Sequence, residues 1–192
     1  TLNVYSGSTI ISSASTTANS KGAFTVTSSA LDDGEYSIKA SATDSAGNVS
    51  TKSSSISITI DTTAPDAPTS LATSSSVTND STPTITGKAE ANSKVTLFID
   101  STSLGTTTAD SDGNFSFTPA FKISDGEYSI TATATDSAGN VSTKSSAISI
   151  TIDTSTPEAP ISLATDSAVT NDSTPTVTGK AEACYLGEFE YE

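Results

Sequence analysis

Apolar residues alternate with hydroxyl-bearing ones along much of the chain. Val95, Leu97 and Ile99 alternate with Thr96, Phe98 and Asp100, and Ile148, Ile150 and Ile152 alternate with Ser149, Thr151 and Asp153. The longest run sets Tyr128, Ile130, Ala132 and Ala134 against Ser129, Thr131, Thr133 and Thr135. A period of two sends successive side chains to opposite faces, so each run offers one face to a core and one to water. Turn formers separate the runs: Asn79-Asp80, Ser111-Asp112-Gly113-Asn114, Asp125-Gly126 and Ala138-Gly139-Asn140. The pattern predicts seven strands, over 68–73, 83–89, 94–100, 104–109, 114–119, 127–135 and 146–152, and no helix.

The pattern also repeats. DGEYSI at 33–38 returns at 125–130, and DSAGNVSTKSS at 44–54 returns at 136–146. TNDSTPT at 78–84 returns at 170–176, and TGKAEA at 86–91 returns at 178–183. Every offset is 92, the length of one small β-sandwich. The cleanest frame places a complete repeat at 62–153. Residues 1–61 then form a partial repeat lacking its first two strands, and 154–183 supply the first two strands of a following repeat. Beyond Ala183 the copy fails, and 184–192, CYLGEFEYE, is a divergent tail. The chain begins at Thr1 without a signal-like segment, which fits a piece of a longer protein. Asp125-Gly126-Glu127-Tyr128, repeated as Asp33-Gly34-Glu35-Tyr36, predicts a tyrosine corner, in which the phenol bonds back to the backbone upstream.

Taken in order, TNDSTPTITGKAEANSKVTLFID, SDGNFSF, DGEYSITATATDSAGNVS and ITIDTTAP resemble the bacterial Ig-like repeats of giant secreted, RTX-type and biofilm-associated surface adhesins. The resemblance covers 1–183. It implies an all-β fold of tandem immunoglobulin-like antiparallel β-sandwiches, set end to end at the bacterial cell surface, with calcium stiffening the junctions.

Composition narrows the function classes. The chain has 37 Ser and 35 Thr but no Arg, His, Met, Trp or Gln, and its 8 Lys face 22 acids for a net charge of −14. Such a balance opposes binding to nucleic acid or an anionic membrane, both of which need positive charge facing phosphates. No stretch is long and apolar enough for a transmembrane helix. Without His, and with Cys184 alone, neither a Ser-His or Cys-His nucleophile nor a usual zinc site can be built. The pair Asp110/Asp112 suggests glycosidase carboxylates, but the aromatic residues that would line a sugar cleft are mostly needed for the core. No catalytic residue is expected.

Antiparallel order sends successive loops to opposite ends of the complete repeat, and this distributes the acids. One end receives Asp61, Glu90–Asn92, Asp110–Asn114 and Asp136–Asn140; the other receives Asn79-Asp80, Asp100, Asp125–Glu127 and Asp153. Carboxylates crowded at a junction repel, and a hard divalent cation offsets that repulsion. The expected calcium ligands are Asp61, Glu90, Asp110, Asp112 and Asp136. At the next junction Asp153 matches Asp61 and Glu182 matches Glu90. Asp33, Asp80 and Asp125 are expected to be turn formers only. The proline-marked linkers TTAPDAP (62–68) and STPEAP (155–160) limit bending.

Three functions compete. The expected one is a non-enzymatic extender, flexible without calcium and stiff with it, whose partners are neighbouring repeats of the same chain. A binding module for sugar or protein is disfavoured because neighbouring loops are nearly identical. The third is a filament in which the two partial repeats complete one another head to tail between copies; the favoured alternative to it is that the ends of the sequence simply fall inside repeats.

Overall fold

A computed structural model describes residues 2–6, 9–169 and 171–183. Cys184 and the divergent tail lie outside the described residues, which contain no helix. Among the described residues fourteen strands run in chain order: β1 (Leu2–Ser6), β2 (Thr9–Ala14), β3 (Gly34–Ala40), β4 (Ile56–Ile60), β5 (Thr69–Thr73), β6 (Val77–Thr78) and β7 (Ile85–Lys88). They continue as β8 (Lys94–Ile99), β9 (Thr102–Thr108), β10 (Asn114–Phe117), β11 (Gly126–Thr135), β12 (Ile148–Ile152), β13 (Ile161–Thr165) and β14 (Val177–Lys180).

Strands β5 to β12 make an immunoglobulin-like sandwich. A three-stranded sheet, β10-β7-β5, packs on a five-stranded sheet, β6-β12-β11-β8-β9. All seven expected strands of the complete repeat are present, and the alternation is the reason. Val95, Leu97, Ile130, Ala132, Ile150 and Ile152 turn inward from one sheet, where they meet Ile85 and Phe115 from the other. Each fully buried Val, Leu, Ile or Phe side chain contributes roughly 1.5–3 kcal/mol. On the opposite face Phe98 lies under Lys144, whose Nζ stands 4.7 Å from the ring centroid.

The two-residue β6 was not expected. It pairs parallel with β12, Thr151 opposite Val77 and Ile152 opposite Thr78, so the first part of the repeat divides between both sheets. Strand β5 is itself irregular: the register shifts between Thr69 and Ala72, and Ser70 takes φ 53°. Ser162 repeats this in β13 with φ 57°.

The serines of the repeated STKSS segment extend the ladder where regular strand ends. Ser142 and Ser145 donate their N–H groups to the carbonyls of Ala134 and Ala132. Their Oγ atoms accept from the N–H groups of the same two alanines, at 2.9 and 3.0 Å. Ser50 and Ser53 do the same for Ala42 and Ala40. Some hydroxyls therefore stand in for backbone rather than only facing water.

The tyrosine corner is present in both copies. Tyr128 Oη donates to the carbonyl of Ser124 at 3.1 Å, and Tyr36 Oη donates to that of Asp32 at 2.8 Å. Gly126, with φ 153°, lies beneath the Tyr128 ring, and a Cβ there would stand 3.2 Å from the hydroxyl.

The sheet β2-β1-β3-β4 reproduces the order β9-β8-β11-β12. The ladder of β3 on β4 keeps the register of β11 on β12. Strands β13 and β14 form a separate two-stranded sheet.

Candidate metal site and linker junctions

The acids are best followed along the loops that carry them. Asp44, Asp110 and Asp136 each open a loop whose fifth residue is Asn and whose fourth is Gly. In each, the leading carboxylate accepts the N–H of that Asn, at 2.9 Å for Asn48, 2.8 Å for Asn114 and 2.9 Å for Asn140. The Asn side chains add further bonds, with Asn48 Nδ2 and Asn140 Nδ2 each 2.8 Å from a carboxylate oxygen. These donors hold the three carboxyls below the ordinary carboxylate value. The Asn side chain is the largest cause for Asp44 and Asp136, and the Asn114 N–H is the largest for Asp110. Asp112 belongs to the same loop, donating its own N–H to Asp110 Oδ1 at 2.9 Å.

Two of the expected neighbourhoods exist. Asn140 Nδ2 donates to the carbonyl of Asp61 at 3.0 Å, which brings the linker to the Asp136 loop. The Glu90 and Asp110 loops are joined by Asn92 N–H to the Asp110 carbonyl at 3.3 Å and by Ala89 N–H to the Gly113 carbonyl at 2.9 Å. Glu90 also borders a shallow cleft of about 330 Å³ with Asp66 and Lys88. Glu182 is exposed just beyond β14, and Asp153 accepts the N–H of Ser155 at 3.0 Å. Among the described residues, however, no three acidic side chains converge closely enough to hold a metal ion. The donors suit a hard cation by chemistry, since all are carboxylates, amides or carbonyls. Their carboxylates are spent first on closing their own loops.

Asp33 and Asp125 do more than form turns. Asp125 Oδ1 accepts the N–H and the hydroxyl of Thr154, at 3.1 and 2.8 Å, and Oδ2 accepts the hydroxyl of Ser155 at 3.2 Å. Asp33 binds Thr62 and Thr63 in the same way, at 2.9, 2.8 and 2.7 Å. Both carboxyls are held below the ordinary value, chiefly by the Thr63 hydroxyl for Asp33 and the Thr154 hydroxyl for Asp125. The signal was present in the sequence: each Asp-Gly-Glu-Tyr is followed by an Ile-Asp-Thr, and both copies keep the spacing. Asp80 is a turn former as expected, its Oδ1 accepting the N–H of Thr82 at 2.8 Å.

The linker after β4 is thus held from both sides. Asp33 of the preceding sheet binds Thr62 and Thr63, while Asn140 of the following sandwich binds the Asp61 carbonyl.

The sequence profile of the family described as Bacterial Ig-like domain matches residues 1–62 and 64–154. No curated protein matches the chain. A crystal structure of a tetra-tandem repeat in the extending region of a large adhesion protein is 22% identical, with a TM-score of 0.42. The alignment covers 94% of this chain and 47% of that one. The BSP domain of a biofilm associated protein is 23% identical (TM-score 0.37), covering 81% of this chain and 25% of the other. Fibronectin(III)-like modules of Clostridium thermocellum CbhA are 21% identical (TM-score 0.44), with 79% and 76% covered. This chain therefore spans about half or less of the two adhesion-related structures.

Proposed function

This chain belongs to the bacterial Ig-like domain family, and we propose that within it the chain is a non-enzymatic extender of a bacterial surface adhesin. Its task is to hold a distal binding region away from the cell. The observation that carries this is the linker at 61–63, tied to Asp33 before it and Asn140 after it. A spacer requires defined directions between repeats, and those bonds supply one. The division into a complete repeat at 62–153 flanked by partial ones belongs to the same proposal, as does an extracellular location. Among the described residues no helix is long and apolar enough to cross a membrane.

Calcium adds a second layer. Asp61, Glu90, Asp110, Asp112 and Asp136 would hold it at one junction, with Asp153 and Glu182 contributing at the next. Asp110 and Asp136 keep lone pairs beyond those used in their loops. When bound, the ion would neutralise the carboxylates and link the linker to the adjoining loops.

Small-angle scattering with calcium and with EDTA tests both layers. A larger maximum dimension with calcium supports the ion's role, and no change refutes it. Extended scattering in EDTA that collapses on Asp33→Ala supports the hydrogen-bonded linker as the basis of extension. A compact chain under both conditions would sink the extender proposal.

A further inference from the structure

Four loops share one design. Asn19, Asp44, Asp110 and Asp136 each stand first, and each accepts the N–H of the fifth residue on its side-chain oxygen. The fourth residue is glycine, with φ 77° at Gly22, 92° at Gly47, 78° at Gly113 and 98° at Gly139. The third residue is Lys21, Ala46, Asp112 or Ala138. Lys21, Ala46 and Asp112 all donate their N–H to the leading side chain at 2.9 Å. The turn therefore closes with lysine, alanine or aspartate in third place, and the Asp112 carboxylate is not needed to form it.

That carboxylate stands directly before a glycine. The chain has three Asp-Gly pairs: Asp33-Gly34, Asp112-Gly113 and Asp125-Gly126. In such a pair the glycine nitrogen can close a five-membered ring on the aspartate Cγ, an intramolecular reaction between groups held close together. Glycine offers the least hindered main-chain nitrogen, because it has no Cβ. Two of the three pairs are restrained. Asp33 accepts three hydrogen bonds from Thr62 and Thr63, and Asp125 accepts three from Thr154 and Ser155. Their glycines also sit in ladders, Gly34 opposite Ile60 and Gly126 opposite Ile152. Asp112 is different. It is exposed, and among the described residues its carboxylate accepts no hydrogen bond. The Gly113 N–H is held in a loop, by the Asp110 carbonyl at 3.0 Å.

We propose that Asp112-Gly113 is a site of spontaneous isoaspartate formation, selected from the three pairs by its unengaged carboxylate. The Gly113 nitrogen bonds to the Asp112 Cγ, and its proton leaves with the carboxyl OH as water. Solvent water then opens the resulting succinimide. Cleavage of the N–Cγ bond restores aspartate. Cleavage of the bond to the main-chain carbonyl carbon leaves the chain running through Cγ, one methylene longer. The added carbon precedes Asn114, the first residue of β10, whose N–H meets Asp110 Oδ1 at 2.8 Å. The conversion therefore loosens the loop that leads into β10.

Peptide mapping of the full chain after prolonged incubation at neutral pH tests this, with isoaspartate located by electron-transfer fragmentation. EDTA is present, so the result does not depend on whether Asp112 binds calcium. Isoaspartate is expected to accumulate several-fold faster at Asp112 than at Asp33 or Asp125. In concentrated urea the three rates are expected to converge, because the bonds that distinguish the sites are gone. Thr154→Val combined with Ser155→Ala removes both hydroxyls from Asp125 and is expected to raise its conversion toward that of Asp112. Conversion at Asp33 or Asp125 that equals or exceeds Asp112 in the folded chain overturns the proposal. So does the same ranking in urea, since sequence alone would then set it.

Discussion

Asp125 grips Thr154 twice through one oxygen, taking its N–H at 3.1 Å and its hydroxyl at 2.8 Å, across 29 residues of chain. The bond joins the start of β11 to the residue that leaves β12 and opens the linker. Asp125→Ala removes all three acceptor contacts, whereas Thr154→Val removes only the hydroxyl. Limited proteolysis should cut the 153–160 linker several-fold faster in Asp125→Ala, with Thr154→Val between it and the parent. Equal rates in all three chains would show that the carboxylate does not order the linker.

The same clamp responds to acid. Hydrogen bonds from Thr63 and Thr62 to Asp33, and from Thr154 and Ser155 to Asp125, lower both carboxyl pKa values in the folded state. A depressed folded value means the contribution is complete above the ordinary carboxylate range, about pH 4. It is lost as pH falls through the lowered folded values. The protection factors of the Thr62 and Thr154 amides, measured by NMR with the intrinsic pH dependence of exchange divided out, are expected to hold constant at neutral pH and fall only on acidification below that range. Asp33→Asn and Asp125→Asn should remove this pH dependence.

Tyr128 tests the corner. Tyr128→Phe keeps the ring and deletes the bond to the Ser124 carbonyl. A loss of about 1 kcal/mol is expected in urea unfolding, the usual worth of one such bond. An unchanged midpoint would mean that water replaces the phenol without cost.

The core offers a steric test. Gly87 faces the Phe115 ring so closely that Gly87→Ala forces the ring or β7 to move. The expected cost is about 1–3 kcal/mol by overpacking. Leu97→Ala, at a fully buried position, should cost about 2–5 kcal/mol by leaving a cavity. Thermal unfolding of the two variants measures both.

Ser70 gives the opposite sign. Its φ of 53° is unfavourable for a side-chain-bearing residue, and Ser70→Gly is expected to stabilise the sandwich by up to about 1 kcal/mol. Chemical denaturation would register this as a higher midpoint with an unchanged slope.

The regular strands were legible because their burial follows a period of two, as along Tyr128, Ile130 and Ala132. Strand β6 was not, since two residues carry no periodicity and their parallel partner is chosen by tertiary packing. The grouping of acidic loops at the ends could be read from strand order, and Asn140 on Asp61 and Asn92 on Asp110 agree with it. What sequence order could not supply was the first partner of each carboxylate. Asp110 and Asp136 turn to their own loops, and Asp33 and Asp125 turn to hydroxyls 29 or 30 residues away. Those choices depend on local amide directions that appear only once the turns are built.

The parallel pairing of β6 with β12 determines how the sandwich meets tension. Pulling on the two termini of 62–153 draws β6 and β12 in opposite directions along their shared axis. Thr151 N–H on the Ser76 carbonyl and Asp153 N–H on the Thr78 carbonyl, at 2.8 and 3.0 Å, are therefore sheared together instead of being peeled apart in turn. The shortest strand among the described residues sits across the load path. On that geometry the pair is expected to hold until its bonds fail as a group and then to release length.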